Sequence, residues 1–294
     1  MEDLIIIGAG PAGLTSAIYG ARAGKKVLVL EKIAYGGKIV SANLVENYPG
    51  IKSISGFDFA RDLYEQTKSL GAEIKFEKVV DVIDKGDYKE VVTNESTYQA
   101  KAVIIATGVE NRKLELPMEK ELTGKGISYC ATCDGAFYKG KTVAVYGGGN
   151  TAISDALFLC DHASKVYVIY RKENLRAEKV QVDKLKSHEN VEILYNSVIT
   201  KINGDEKLDS ITINDEKELP IDGLFVAIGQ EPNDDIKDII ETNEQGYIIG
   251  DESCHTNVPG IYVAGDVRVK EVRQLTTAEA DGTIAALTAI KEMK

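Results

Sequence analysis

The stretch LIIIGAGPAG, residues 4–13, runs a short apolar segment straight into a glycine turn, and VAVYGGGNTA at 143–152 repeats the device. A brief continuous apolar run closed by such a turn reads as a strand buried on both faces of a parallel sheet. The first copy continues into TSAIYGARAG and then VLVLEK, the second into ISDALFLCDHAS and then VYVIYRK. Strand, turn, helix and second strand make a βαβ unit, here written twice. The likeness persists downstream, with VIIATG at 103–108 in the first unit and LFVAIG at 224–229 in the second. A further strand-plus-glycine segment, GIYVAGDV at 260–267, has no counterpart inside the second unit. The pattern predicts an α/β fold of two Rossmann-like, doubly wound and mainly parallel sheets, with ligands at the carboxyl ends of the strands.

The two turns predict what those ligands are. Gly8, Gly10 and Gly13 form G-x-G-x-x-G: a tight turn, a close approach for a pyrophosphate, and close helix–strand packing. The helix N-terminus adds unpaired N–H groups and a partial positive charge. Glu31, at the end of the second strand, is placed to accept hydrogen bonds from a ribose diol. In the second unit Gly147, Gly149 and Ala152 give the G-x-G-x-x-A form, and the offset that reached Glu31 falls instead on Tyr170, followed by Arg171, Lys172 and Arg176. An acid would repel a 2′-phosphate, whereas cations bind it through charge-assisted hydrogen bonds. YRKENLRAEK also has the composition of a solvated helix start, and the register shared with Glu31 is what favours the phosphate. The chain is therefore expected to hold two dinucleotides, an FAD-type one first and NADPH second.

Composition narrows the setting. The 294 residues suit two ordinary domains, and 44% hydrophobic against 28% charged residues predicts a packed core. A formal charge of -11 disfavours nucleic acid or an anionic membrane as partner. Met-Glu-Asp leads directly into a strand rather than a signal segment, and runs such as LIII and VLVL are too short to span a bilayer. A cytoplasmic location is expected. Cys160 and Cys254 stand apart, so the four cysteines are no disulfide framework.

Cys130 and Cys133 sit in ISYCATCDG, residues 127–135, with Asp134 directly after. Zinc requires four ligands, and this single knuckle has none of the three histidines, His162, His188 and His255, near it in sequence, so no metal is expected. A C-x-x-C disulfide that opens and closes fits better in a reducing compartment. Asp134 reads either as a helix cap or as a group carrying protons to and from the reduced cysteines.

Taken together, GAGPAG, GGKIVSANLVENYPG at 36–50, CATCDG at 130–135, GGGNTA at 147–152, YRKENLRAEK at 170–179, and GIYVAGDV followed by RQLTTAEADG closely resemble the low-molecular-weight thioredoxin reductases. The match runs in order along essentially the whole chain. The resemblance implies an NADPH domain inserted into the FAD domain, with FAD-binding parts at 1–111 and 241–294 and an NAD(P)H-binding part carrying the C-x-x-C at 112–240. The polar segments 109–118 and roughly 236–246 would be the crossings, and the hinges of a large rotation of the NADPH domain. It implies Cys133 facing the flavin, Cys130 attacking the disulfide of thioredoxin or a similar small protein, and Asp134 as acid/base. FAD contacts would come from Pro11, Ala12, Lys32, Gly37, Lys38 and Asn47 besides the glycines and Glu31. Ala106, Thr107 and Gly108 would join them, as would Gly265 and Asp266 near the ribitol or pyrophosphate. Arg273, Gln274, Leu275 and Ala278 would lie along the isoalloxazine. NADPH contacts would add Asn150, Thr151, Ile228 and Gly229 to the second turn and to Tyr170, Arg171, Lys172 and Arg176. A homodimer is usual.

Three positions depart from the family pattern, the first being Tyr170 where the signature H-R-R-x-x-x-R begins with His. Lys38 stands where G-G-Q is usual, exchanging an amide for an ammonium. Lys172 stands in the second place of R-R, retaining charge without the bidentate fork. Some anaerobic relatives draw electrons from reduced ferredoxin, so a ferredoxin-dependent flavin thioredoxin reductase is the alternative reading. A flavin NADPH–ferredoxin oxidoreductase would have no use for the cysteine pair. A redox-sensing module would carry the pair without turnover.

Overall fold

The computed structural model describes residues 1–42, 44–233, 236 and 239–293. Asn43 in the 36–50 stretch, Lys237 and Asp238 in the expected second crossing, and Lys294 in the last FAD-binding part lie outside the described residues. The chain divides into two compact units, Met1–Glu110 with Glu231–Lys294, and Asn111–Gln230. The second junction thus falls ahead of the 240/241 position expected from the sequence.

In the first unit β1 (Glu2–Ile7) turns through glycines into α1 (Pro11–Arg22) and returns as β2 (Val27–Leu30). Pro11 opens the helix at a position where its missing N–H costs nothing. After α2 (Gly56–Ser69), capped by the Ser55 hydroxyl accepting from Asp58 N–H at 3.0 Å, comes β3 (Glu73–Lys75). An antiparallel excursion, β4 (Val79–Asp84) and β5 (Lys89–Thr93), leads to the long strand β6 (Thr97–Ile105). The sheet order is β3-β2-β1-β6-β5-β4, with β1 parallel to both β2 and β6. Leu4 and Ile6 enter one hydrophobic core, Ile5 and Ile7 another. Both faces of β1 are covered, which is why its sequence is continuously apolar rather than alternating. Truncating any of these four to Ala should cost about 2–5 kcal/mol.

The second unit begins within β7 (Val109–Asn111) and passes α3 (Glu119–Leu122), β8 (Ile127–Ser128), α4 (Ala131–Asp134) and a 3-10 turn at Gly135–Tyr138. Its βαβ core is β9 (Thr142–Tyr146), α5 (Asn150–Cys160) and β10 (Lys165–Ile169), followed by α6 (Lys179–Lys186) and β11 (Val191–Leu194). A meander of β12 (Ile199–Gly204), β13 (Leu208–Ile213) and β14 (Lys217–Pro220) precedes β15 (Gly223–Val226). Strands β11-β10-β9-β15-β8 form one parallel sheet. Val143, Val145, Ala152 and Leu159 fill the core on the α5 side, while Ala144, Leu224, Ile202 and Ile211 fill the core on the meander side. Strand β16 (Gln230–Pro232) then pairs with β7.

The chain re-enters the first unit's sheet as β17 (Ile261–Val263), parallel to β6 with Ile261 opposite Val103. It takes the part of the β6 edge that β5, paired over Thr97–Ala100, leaves open. The last helix, α7 (Leu275–Glu292), lies along α1 at very short range: a Cβ on Gly282 would fall on the carbonyl of Ala12. Among the described residues no helix is long and apolar enough to cross a membrane.

Candidate active site

Each glycine turn is backed by the end of the neighbouring strand in its sheet, β6 beside β1 and β15 beside β9. Gly8 has φ +105° and a Cβ there would strike the Ala106 carbonyl, while Gly147 has φ +154° and faces the Ala227 carbonyl in the same way. The repeat of VIIATG in LFVAIG therefore has a structural meaning, since both segments back a turn that only glycine can make. A Cβ on Gly13 would land on the carbonyl of Gly8, so α1 can start this close to the strand only with glycine there. Gly10 and Gly149 face open space, which leaves their backbones accessible to a phosphate.

Around the first turn, most of the residues expected from the sequence converge. Glu31 accepts hydrogen bonds from Ala9 N–H at 2.8 Å and Ile33 N–H at 3.0 Å, bracing the turn with both carboxylate oxygens. Gly36 N–H donates to Ala9 O at 2.7 Å, which brings Gly37 beside Gly10 and Pro11. Ala12, Gly265 and Ala278 meet where α1, the 265–267 turn and α7 converge. Lys32 Nζ lies 3.7 Å from Glu110 and Asn47 donates to Gln274 at 3.4 Å. Gln274 also caps α7 in a reciprocal pair with Thr277, placing Leu275 at the helix start. Arg273 donates to the Asp266 carbonyl at 3.1 Å and lies over the Tyr247 ring at 4.1 Å.

Asp266 is the most informative residue here. Its Oδ1 is buried and, among the described residues, has no hydrogen-bond partner. Burial pushes its carboxyl upward, and the charges of Lys270, Lys38 and Arg273 pull it back. A buried acceptor without a donor is costly, and hydroxyls of a ribitol-bearing dinucleotide are donors of the kind it lacks. Together with the open approach at Gly10, the residues fit such a group.

Two contributors were not foreseen. Asn233 donates to the Thr107 carbonyl at 2.7 Å and receives Thr107 Oγ at its own carbonyl at 3.3 Å, while its N–H donates to Gly108 O at 3.1 Å. Asp281 is buried in α7, accepts the Gly265 N–H at 3.1 Å, and is ion-paired with Arg268 and Lys270. An acid among the small residues of AEADG was the only sequence signal for it.

In the second unit the cation-bearing loop is strapped onto its glycine turn. Arg176 N–H donates to Gly148 O at 2.7 Å and Glu178 N–H to Asn150 Oδ1 at 2.9 Å. Arg171, Lys172 and Arg176 are exposed, as is Thr151, whereas the Tyr170 ring is buried against Gly148. Tyr170 thus packs the turn from beneath while its neighbours reach solvent. Ile228 and Gly229 follow β15, and the Gly229 backbone lies beside the Arg112 side chain.

Cys130 and Cys133 are joined in a disulfide, Cys130 partly buried and Cys133 exposed, at the ends of one turn of helix that follows β8. Asp134 N–H donates to Cys130 O at 3.1 Å, and its side chain accepts from the buried Ser128 hydroxyl at 2.6 Å. Burial raises the Asp134 carboxyl above the usual carboxylate range, with the Ser128 hydrogen bond acting against it. Tyr129 donates to Glu119 at 2.5 Å, and Glu119 in turn accepts the N–H groups of Leu114 and Glu115. Cys160 and Cys254 are buried, and burial pushes both thiols up to about 11, so neither is a ready thiolate. The arrangement can store two electrons in a reducible S–S bond with a proton-holding carboxyl in the same turn.

Comparison with known proteins places these features. The family described as pyridine nucleotide-disulphide oxidoreductase matches residues 2–282. The chain is 45% identical to a 34.2 kDa protein in the rubredoxin operon of Clostridium pasteurianum, covering 98% of this chain and 96% of that one. It is 42% identical to the thioredoxin reductase of Listeria monocytogenes over 98% and 93% of the two chains. The crystal structure of thioredoxin reductase from Streptococcus pyogenes superimposes with a TM-score of 0.95 at 39% identity, over 99% and 97% of the two chains.

Proposed function

We propose, because the chain belongs to the pyridine nucleotide-disulphide oxidoreductase family, that it works as a thioredoxin reductase, moving electrons from NADPH through FAD and the Cys130–Cys133 disulfide to thioredoxin or a thioredoxin-like protein. The observation that carries the reading is that disulfide, set in one turn with a carboxyl that burial keeps ready to hold a proton. The first unit would hold FAD through the Gly8–Gly13 turn, Glu31, Asp266 and the start of α7. The second would hold NADPH through the Gly147–Ala152 turn and the Arg171, Lys172 and Arg176 cations, which favour NADPH over ferredoxin as donor. A homodimer in the cytoplasm is the setting this reading carries with it.

When bound, the two cofactors supply the pair of electrons that opens the Cys130–Cys133 bond to a dithiol. Asp134, as carboxylate, takes the proton of the Cys130 thiol. The Cys130 thiolate attacks one sulfur of the partner disulfide, forming a Cys130–partner S–S bond as the partner's own S–S bond breaks. Asp134 returns its proton to the departing partner thiolate. Cys133 then attacks the Cys130 sulfur, restoring the internal disulfide and releasing the second partner sulfur, which takes up the proton Cys133 gave to solvent. Two electrons and two protons have passed from one dithiol to the other.

A Cys133→Ser variant tests the reading. It should bind flavin as the parent does, with the same visible absorption, and fail to reduce thioredoxin with NADPH; turnover at the parent rate would refute the relay.

A further inference from the structure

Ser128 sits two residues before Cys130 and is buried at the end of β8, where the parallel pairing of Phe225 with Ser128 fixes its backbone. Its hydroxyl oxygen accepts the Cys130 N–H at 3.1 Å, and its proton goes to Asp134 Oδ2 at 2.6 Å. Asp134 N–H closes the loop by donating to Cys130 O at 3.1 Å. A serine that only capped the turn would be satisfied by the Cys130 N–H and could direct its proton to the Cys130 carbonyl, which lies 3.3 Å away. The carboxylate is the nearer and more strongly accepting partner.

We propose that Ser128 is a positioning residue for proton transfer at the redox cysteines: its hydroxyl orients the Asp134 carboxyl on their turn and supplies the hydrogen bond that the carboxylate form requires. The inference rests on the reading of Asp134 as proton carrier. Among the described residues, no cation compensates the carboxyl. Tyr138, in the following 3-10 turn, is pushed up to about 12 by burial and by the charges of Asp134 and Asp222, and so stays neutral. Asp222 precedes β15, and Asp155, on the α5 helix that packs against α4, is pushed up to about 7 by burial. Burial disfavours the Asp134 carboxylate, and the Ser128 hydroxyl is the group that favours it. Without that hydroxyl a smaller fraction of Asp134 can accept a proton at neutral pH, and the Cys130 N–H loses its acceptor.

The test uses pre-reduced holoprotein mixed with oxidised thioredoxin across a pH series, for the parent, Ser128→Ala, Ser128→Thr, Asp134→Asn and the Ser128→Ala/Asp134→Asn double variant. Ser128→Ala should move the acid limb of the rate profile to higher pH and slow the reaction about tenfold near neutrality, with KM for thioredoxin unchanged. Ser128→Thr should restore the profile, and Ser128→Ala should add no loss in the Asp134→Asn background. The carbon-13 signal of the Asp134 carboxyl, assigned through Asp134→Asn, should titrate at higher pH in Ser128→Ala than in the parent; Ser128→Gly provides the same comparison if the alanine variant does not fold. If Asp134→Asn reacts at the parent rate at every pH, the proton-carrier reading falls and the inference with it. If Asp134→Asn is slow while Ser128→Ala keeps the parent profile and titration, or the two losses multiply, the role of Ser128 is overturned and that of Asp134 stands.

Discussion

Replacing Asp281 by alanine should destabilise the first unit more than any surface ion-pair variant of this protein. The Asp281 carboxylate is 7% exposed and receives Lys270 Nζ at 2.7 Å and Arg268 Nη2 at 2.9 Å, from side chains 9% and 16% exposed. It also receives the Gly265 N–H at 3.1 Å, at the turn that carries Asp266. Alanine removes the acceptor and leaves two enclosed cations and one N–H without it. Removing one partner of a buried ion pair typically costs about 3–5 kcal/mol, because the stranded charge keeps its desolvation penalty. The exposed Arg61–Asp58 pair, with side chains 46% and 44% exposed, serves as the control, and Arg61→Ala should leave stability unchanged. The chain has no tryptophan, so unfolding in urea is best followed by far-ultraviolet circular dichroism, with flavin fluorescence reporting cofactor release. Flavin should leave Asp281→Ala at lower urea than the parent, ahead of the loss of helix. A stability loss below about 1 kcal/mol, the range of an exposed pair, would refute the reasoning. A Lys270→Met/Asp281→Leu variant should recover part of the loss, as apolar replacements of buried pairs often do.

Two further outcomes follow from the same structure. His255 bridges Asp251 and Glu292 at 2.9 Å each, and the Asp251 and Glu292 hydrogen bonds raise its imidazole above the ordinary value of 6.5 while the two carboxyls are lowered. The raised imidazole stabilises the fold fully below pH 6.5 and loses that effect as pH rises through its folded value. The lowered carboxyls stabilise it above their ordinary values and lose that effect as pH falls through their folded ones. The Tm gap between the parent and His255→Gln should accordingly be widest near pH 5.5–6.5 (about) and close on both sides; a gap independent of pH would contradict the bridge. Arg171→Ala should raise KM for NADPH by about tenfold with little change in kcat, as expected for loss of one charge-assisted contact to a bound phosphate, and should leave KM for NADH unmoved; equal effects on both nucleotides would place Arg171 away from the 2′-phosphate.

The fold was legible because its signals are local. Leu4–Ile7 is continuously apolar since both faces of β1 are covered, and the glycine turns recur because Gly8 and Gly147 face carbonyls that leave no room for a Cβ. The place of GIYVAGDV was harder, because β17 pairs with a strand more than a hundred residues earlier and no period in the sequence encodes that partner. The same limit hid Asn233, whose bonds reach back to Thr107 and Gly108, and Asp281, whose cations come from a different turn. Ser128 was hidden differently. It is adjacent to the motif, yet only the pairing of β8 with β15 turns a common hydroxyl toward Asp134. Tyr170 shows the converse: register put it in line with the cations proposed to bind phosphate, and packing buried its ring beneath Gly148.

The most direct test of the electron path is anaerobic mixing of the purified yellow protein with NADPH, followed by thiol counting and then addition of oxidised thioredoxin. The account predicts that NADPH bleaches the flavin absorption, that the Cys130–Cys133 disulfide opens to two titratable thiols, and that thioredoxin closes it again while becoming reduced. Flavin that stays oxidised with NADPH but is bleached by reduced ferredoxin, or that is bleached without the appearance of those thiols, would contradict it.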